Sequence, residues 1–171
     1  MTDLRLCAAR TDSRDQRFLR RVLGDAASWR RDQRGLSLEE LASDPSLARY
    51  VKGWGRKGDR GVIAEVAYSP IGAAWWRFFS EHDHGYGFIE PSVPEISIAV
   101  AEEVRGRGVG TALLERLVDR ANQEGVLALS LSVEAANPAL RLYERLGFAR
   151  VACIDGAWTM RRDTRASRIA D

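Results

Sequence analysis

Between Glu95 and Thr111 the chain reads EISIAVAEEVRGRGVGT: an alternating apolar run, a short acidic step, then Gly106, Gly108 and Gly110 at every second position. A helical pattern follows. The first turn of a helix carries unpaired N–H groups and about half a positive charge, and glycines without Cβ atoms let an anion approach that backbone closely. Arg105 and Arg107 add two cationic forks. The chemistry that suits this stretch is pyrophosphate binding at Gly106, Gly108 and Gly110 with Arg105 and Arg107, the plain alternative being a solvent-exposed turn. It is not a P-loop, because Thr111-Ala112 stands where Lys-Ser/Thr is needed. A dinucleotide fingerprint needs G-x-G-x-x-G, and here the third glycine comes one residue early.

The elements that must position this turn follow from periodicity. Leu4, Leu6 and Ala8 alternate as a first strand. Phe18, Leu19, Val22 and Leu23 recur at helical spacing over about residues 13 to 23, with Thr11 to Ser13 as caps and Gly24 as a stop. Ser37-x-x-Glu40 is a capping box, Pro45 interrupts that helix, and Leu47, Tyr50, Val51 and Trp54 continue a helical pattern into the loop Gly53 to Gly61. Gly61 to Tyr68 and Gly72 to Phe79 read as an antiparallel pair turning at Ser69-Pro70. Trp75, Trp76, Phe78 and Phe79 cover both faces of the second strand, so core packing is expected for most and one outward tryptophan is available to wall a cleft. After the glycine turn, Val109, Leu113, Leu114, Leu117, Val118 and Ala121 share one helical face up to Gly125. Leu127, Leu129, Leu131 and Val133 alternate as a strand with a bulky face and a small-residue face. Asn137-Pro138 caps a short helix bearing Leu142, Tyr143 and Leu146, and 148–154 and 157–160 form a hairpin around Asp155-Gly156. The expected organisation is one domain over 1–163 and a frayed polar tail over 164–171, with fraying already from Arg161.

The spacing Arg105-x-x-Gly108-x-Gly110 after a strand resembles the acyl-CoA signature of the GNAT N-acetyltransferases. The block Asn137-Pro138-Ala139-Leu140-Arg141-Leu142-Tyr143-Glu144-Arg145-Leu146-Gly147-Phe148 resembles a second block of the same family, and the order of elements resembles its fold over nearly the whole chain. The resemblance implies an α/β (α+β) fold with a central mixed, mostly antiparallel sheet flanked by helices. It implies acetyl-CoA as acyl donor, with no metal. Ile98, Ala99 and Val100 would pair their backbone with the pantetheine arm, Arg105 through Thr111 would hold the pyrophosphate, Asn137 would contact the cofactor, and Tyr143 would protonate the leaving thiolate. Plain alternatives stand beside these roles: Asn137 as a helix cap and Tyr143 as a core aromatic. Glu95, at the start of the cofactor strand, resembles the glutamate that many members use as base. Its alternative is a strand-edge carboxylate in solvent, and Glu65 and Glu134 are secondary candidates.

The function implied is transfer of an acetyl group to a primary amine by direct attack, the acceptor being a cationic small molecule or a peptide amine. A non-catalytic acyl-CoA-binding module is the alternative. Residues 81–94 form a long polar connection in which Glu81, Asp83 and Glu90 join Glu95 with no Lys or Arg between, so an acidic acceptor cleft is expected there, with Trp75 or Trp76 adding a cation–π contact, the competing view being a solvated loop whose acids point away. His82 and His84 lack a third ligand fixed by spacing, so a solvated loop is expected over a metal site. The 26 basic and 24 acidic residues give a net charge of +2, too balanced for a nucleic-acid partner, although Arg14 to Arg31 is arginine-rich. No apolar run approaches a membrane span and no leader pattern is present, so a cytoplasmic protein is expected. Cys7 and Cys153 form no metal or disulfide framework and read as small core residues. A second copy of the chain is a further candidate partner.

Overall fold

The structure is a computed structural model that describes residues 3–29 and 36–164. Within these residues seven strands form one sheet: β1 (Leu4–Ala8), β2 (Arg60–Val66), β3 (Ser69–Arg77), β4 (Glu95–Val100), β5 (Ala128–Glu134), β6 (Ala149–Ile154) and β7 (Ala157–Asp163). Their order is β1-β2-β3-β4-β5-β7-β6. All neighbours are antiparallel except β4 and β5, which are parallel and register at one position, Glu95 opposite Ser130. Beyond that rung a cleft opens between them, because Ile96–Val100 line one side of it and Leu131–Glu134 the other.

Among the described residues five helices cover the faces: α1 (Ser13–Ala27), α2 (Leu38–Ser43), α3 (Pro45–Ala48), α4 (Val109–Glu124) and α5 (Leu140–Arg145). Alternation along the strands assigns the two cores. Ile96, Leu129, Leu131 and Val133 join Leu113, Leu114 and Leu117 of α4 in one cluster. Ile63, Ala73, Trp75 and Phe79 join Phe18, Leu19 and Val22 of α1, together with Tyr50 and Trp54, on the opposite face. Glu95 and Ser130, one residue out of phase with the α4-facing set, therefore look toward the α1 side. The small face of β5 carries Ser130 and Ser132, and Thr159 of β7 stands opposite Ser132.

Several expectations are corrected. Helix α1 runs through Gly24 to Ala27; a Cβ at Gly24 would meet the Leu36 carbonyl oxygen at 2.8 Å, so the glycine permits a close crossing and does not stop the helix. The β2–β3 turn falls on Ala67 and Tyr68, both at positive φ (49° and 63°), and Ser69-Pro70 already belongs to β3. Trp75 and Trp76 are both fully buried, because β3 is central and covered on both faces, so neither walls a cleft. The strand expected from Leu127 begins at Ala128, and Leu127 itself is exposed. Strand β7 continues through Arg161 to Asp163 and Thr164 is buried, its Oγ1 donating to the Val126 carbonyl. The expected tail over 165–171 lies outside the described residues, as do Arg30 and Arg31 of the arginine-rich stretch. Cys153 is exposed on β6 and Cys7 is half-buried, so neither is a core residue.

Candidate active site

The cleft between β4 and β5 has a volume of ≈ 1350 Å³. At one end the 3-10 turn Glu102–Val104 leads into Arg105, whose Nε donates to the Val100 carbonyl at 3.1 Å, and then into α4. Gly106 and Gly108 have φ of 74° and 83°, the left-handed region that a Cβ disfavours. A Cβ at either would meet nothing within 4 Å, so the space before their backbone is open. Helix α4 has no side-chain cap at Gly108, and its first hydrogen bond to the preceding turn is from Ala112 N to Gly108 O at 3.0 Å. The amides of Val109, Gly110 and Thr111 precede that bond, which is the arrangement a phosphate needs. Arg105, Gly106, Gly108, Gly110 and Thr111 line the cleft; Arg107 is exposed outside its lining, and Val109 is buried with its side chain in the α4 core. These residues fit a pyrophosphate through backbone and Arg105.

Ile98, Ala99, Val100, Asn137 and Tyr143 also line the cleft. β4 spends its backbone on β3 along one edge and registers with β5 only at Glu95, so its other edge faces the opening. Asn137 lies before the helix and not at its first residue: its Oδ1 accepts from Ala139 N at 2.9 Å, and α5 starts at Leu140. Tyr143 packs edge-on against Phe148 with ring centroids 6.1 Å apart, and burial pushes its phenol up to about 12. Among the described residues no protein group hydrogen-bonds its hydroxyl.

Glu95 is 2% exposed, not a strand-edge carboxylate in solvent. Its Oε1 accepts from Tyr50 Oη at 2.7 Å and from Gly87 N at 2.7 Å, while Oε2 is buried without a hydrogen-bond partner. Burial raises its pKa to about 7, against the opposing pull of those two donors and the more distant positive charge on His84 and Arg49. The lid over it is the 81–94 connection. A Cβ at Gly85 would fall 2.3 Å from Glu95 Oε2, and one at Gly87 would fall 2.5 Å from the Leu131 carbonyl carbon, so both positions demand glycine to close.

The acidic cluster expected on that connection does not form a cleft wall. Asp83 pairs with Arg49 at 3.0 Å, Glu90 accepts from Ser92 Oγ at 2.5 Å, and neither these nor Glu81 line the cleft. Arg49, distant in sequence, supplies the cation that the local count lacked. The acids that do line it are Asp25, Asp44, Glu95, Glu134 and Asp155. Burial raises the pKa of Asp25, whereas two hydrogen bonds from Ser46 hold Asp44 low. Glu65 lies outside the lining and faces Arg14 at 3.7 Å. His84 stacks on Phe88 at 4.5 Å. No group of three potential metal ligands occurs among the described residues, and no helix of the described residues is long and apolar enough to cross a membrane. Tyr50 escaped the sequence reading, which saw it only as an apolar helical position; its link to Glu95 spans 45 residues and leaves no local signal.

Residues 18–148 match the model of the Acetyltransferase (GNAT) family. The chain is 31% identical over 137 residues to a mycothiol acetyltransferase of Corynebacterium aurimucosum, covering 75% of this chain and 41% of that protein. It is 40% identical over 82 residues to an L-2,4-diaminobutyric acid acetyltransferase of Nocardia farcinica, covering 46% of this chain and 37% of that one. A shorter match, 47% over 53 residues, links it to the ribosomal protein bS18-alanine N-acetyltransferase of Escherichia coli, covering 30% and 36%. The chain thus spans about two fifths of the length of these relatives. Among solved structures, yncA from Salmonella typhimurium, determined with its cofactor acetyl-CoA, superposes with a TM-score of 0.68 at 20% identity, over 98% of both chains. The Escherichia coli ribosomal-protein-S18-alanine N-acetyltransferase gives 0.61 at 21% identity, over 98% and 99%. The family match over most of the sheet, joined to a sheet split at one parallel rung, establishes that this chain belongs to the GNAT acetyltransferase family.

Proposed function

We propose that the protein is an acetyl-CoA-dependent N-acetyltransferase acting on a primary amine that reaches the cleft as a cation. The observation that carries this reading is Glu95: a carboxylate buried beside an open backbone edge, with one oxygen unpartnered and a pKa near 7. Acetyl-CoA, when bound, supplies an acetyl thioester, whose transfer needs a neutral amine, a polarised carbonyl and a stabilised thiolate. Arg105, Gly106, Gly108, Gly110 and Thr111 would hold its pyrophosphate, with Arg107 available from outside the lining and Val109 contributing only its amide. Ile98, Ala99 and Val100 would take the arm along the β4 edge, and Asn137 would contact it from the opposite wall.

Glu95 takes the proton from the ammonium. Its Oε2 is covered by Gly85, which blocks direct contact with the ammonium, so transfer to it needs a relay. Tyr143 keeps its proton at neutral pH and gives its hydrogen bond to the departing sulfur. With the phenol held near 12 and a thiol ordinarily near 8.5, full transfer to the sulfur runs uphill, so Tyr143 acts by hydrogen-bond donation to the departing thiolate. Among the described residues the cleft is lined by two arginines, Arg105 on the glycine turn and Arg145 on α5, against five acids, Asp25, Asp44, Glu95, Glu134 and Asp155. That distribution favours a cationic acceptor over an anionic one.

The test is thiol release from acetyl-CoA against polyamines, aminoglycosides, amino acids and peptide N-termini, in the wild type, Tyr143→Phe and Gly108→Asp. A cationic acceptor should turn over, with Tyr143→Phe slower by roughly 10²-fold at similar cofactor affinity. Gly108→Asp should abolish stabilisation by acetyl-CoA, which otherwise reaches about 2.7 kcal/mol at a hundredfold excess over Kd. Tight acetyl-CoA binding with no turnover across the panel would make the chain a binding module instead.

A further inference from the structure

The Tyr50 hydroxyl does two things at once. It donates to Glu95 Oε1 at 2.7 Å, and it accepts from the Tyr86 amide of the lid, also at 2.7 Å. Tyr50 itself is 5% exposed, packs edge-on against Phe79 at 5.4 Å, and its carbonyl accepts from Trp75 Nε1 at 3.0 Å. The phenol therefore has no freedom to swing away. The lid is bound to the same segment elsewhere: Tyr86 Oη donates to Ser46 Oγ at 2.9 Å, and Arg49 reaches the His84 carbonyl and Asp83. With Tyr50 and the Gly87 amide both on Oε1, Oε2 is the one carboxylate oxygen left without a donor.

We propose that Tyr50 is the positioning residue of the base: its hydroxyl fixes Glu95 through Oε1, reserves Oε2 for the proton, and joins the carboxylate to the lid in one hydrogen-bonded unit. This rests on the assignment of Glu95 as base above. A carboxylate anchored through one oxygen cannot rotate to present the other way, so the proton-accepting atom keeps one position while the 81–94 connection is seated on it. The hydroxyl also stabilises the ionised carboxylate, so removing it must raise the pH at which Glu95 ionises. Other groups near Glu95 are Arg49 on the segment of Tyr50, His84 and Tyr86 on the lid, and Arg77 opposite it on β3; Arg77 is already paired with Asp59. None of these except Tyr50 donates from a side chain to the carboxylate among the described residues.

The experiment is a titration of the Glu95 carboxyl ¹³C signal in the ligand-free protein, assigned by its loss in Glu95→Gln. It is run on wild type, Tyr50→Phe and Tyr86→Phe. The wild-type midpoint should lie near 7, and Tyr50→Phe should raise it by about one pH unit, as expected for loss of one hydrogen bond to a charged group. Tyr86→Phe loosens the lid at Ser46 without touching Glu95 and should leave the midpoint in place. If Tyr50→Phe does not fold, 3-fluorotyrosine at position 50, a stronger donor, should lower the midpoint instead. A wild-type midpoint near 4.5 would remove the base assignment and this inference together. A wild-type midpoint near 7 that neither Tyr50 variant moves, or that Tyr86→Phe moves equally, would overturn the role of Tyr50 alone.

Discussion

Two carboxylates lie buried close together on this fold, and their surroundings give them opposite uses. Asp59 accepts from Arg77 Nε at 3.0 Å, from Arg77 Nη2 at 2.6 Å, and from the amides of Gly55 and Arg56 at 3.0 Å each. The remaining reach of Arg77 goes to the carbonyls of Arg49 and Lys52 at 2.7 and 2.8 Å. Every charge there is matched, and the result is a pin that holds the 49–59 segment to β3. Glu95 stands directly opposite Arg77 across β3 and β4 and is just as buried, yet two neutral donors take one of its oxygens and no guanidinium takes the other. Burial with a cation makes structure. Burial without one makes a group that exchanges a proton near neutrality.

The comparison breaks most visibly at Arg77. Arg77→Met leaves Asp59 charged, buried and half-satisfied, and should cost about 3 to 5 kcal/mol in urea unfolding, with the loss of activity following the loss of fold. Glu95→Gln should do the reverse. The folded-state pKa of Glu95, about 7, lies above its ordinary 4.5, so between those values the native state keeps a proton that the unfolded chain has released. Stability contributed by the neutral form is complete below pH 4.5 and lost as pH rises through 7. Glu95→Gln should lack that fall and should therefore be more stable than wild type at pH 8, by about 3 kcal/mol at most, while losing turnover. Melting both proteins at pH 5 and pH 8 measures this, and parallel losses in wild type and mutant would equate Glu95 with Asp59 as mere structure. Smallest is the exposed pair of Asp83 with Arg49. Asp83→Asn should change stability by less than about 1 kcal/mol and leave acceptor preference untouched, because the aspartate stands outside the cleft.

The cofactor end of the site was legible because its signals are local. Alternation over Glu95–Val100, glycines at positive φ and an apolar stripe over Val109–Ala121 all lie within one turn or strand of each other. The acceptor end was not. The sequence reading grouped Glu81, Asp83 and Glu90 by adjacency, whereas the fold neutralises Asp83 with Arg49 and recruits Asp44, Glu134 and Asp155 from three separate parts of the chain. It also allowed an outward tryptophan on β3, because the pattern of one strand does not say that helices will cover both faces. The turn at Ala67 and Tyr68 was hidden for a different reason: two residues with side chains occupy positive φ where Ser69-Pro70 offered a more conventional turn. Tyr50 shows the general limit. Its ring is readable as apolar, but its hydroxyl acquires a partner only when the lid and β4 arrive.

The single rung between β4 and β5 has a mechanical meaning. A continuous sheet passes load from strand to strand through every ladder bond, but here the four strands on one side and the three on the other share the pair Glu95–Ser130 and the bond from Ser130 N to the Pro94 carbonyl at 3.0 Å. What otherwise joins them is the apolar floor beneath α4, which takes side chains from both halves. The molecule is thus two plates on a shared bearing, seamed at the base and open above. Anything that settles along the open seam completes a missing rung, so occupancy of the cleft and rigidity of the sheet are one quantity, readable as slowed amide exchange on both sides of the gap.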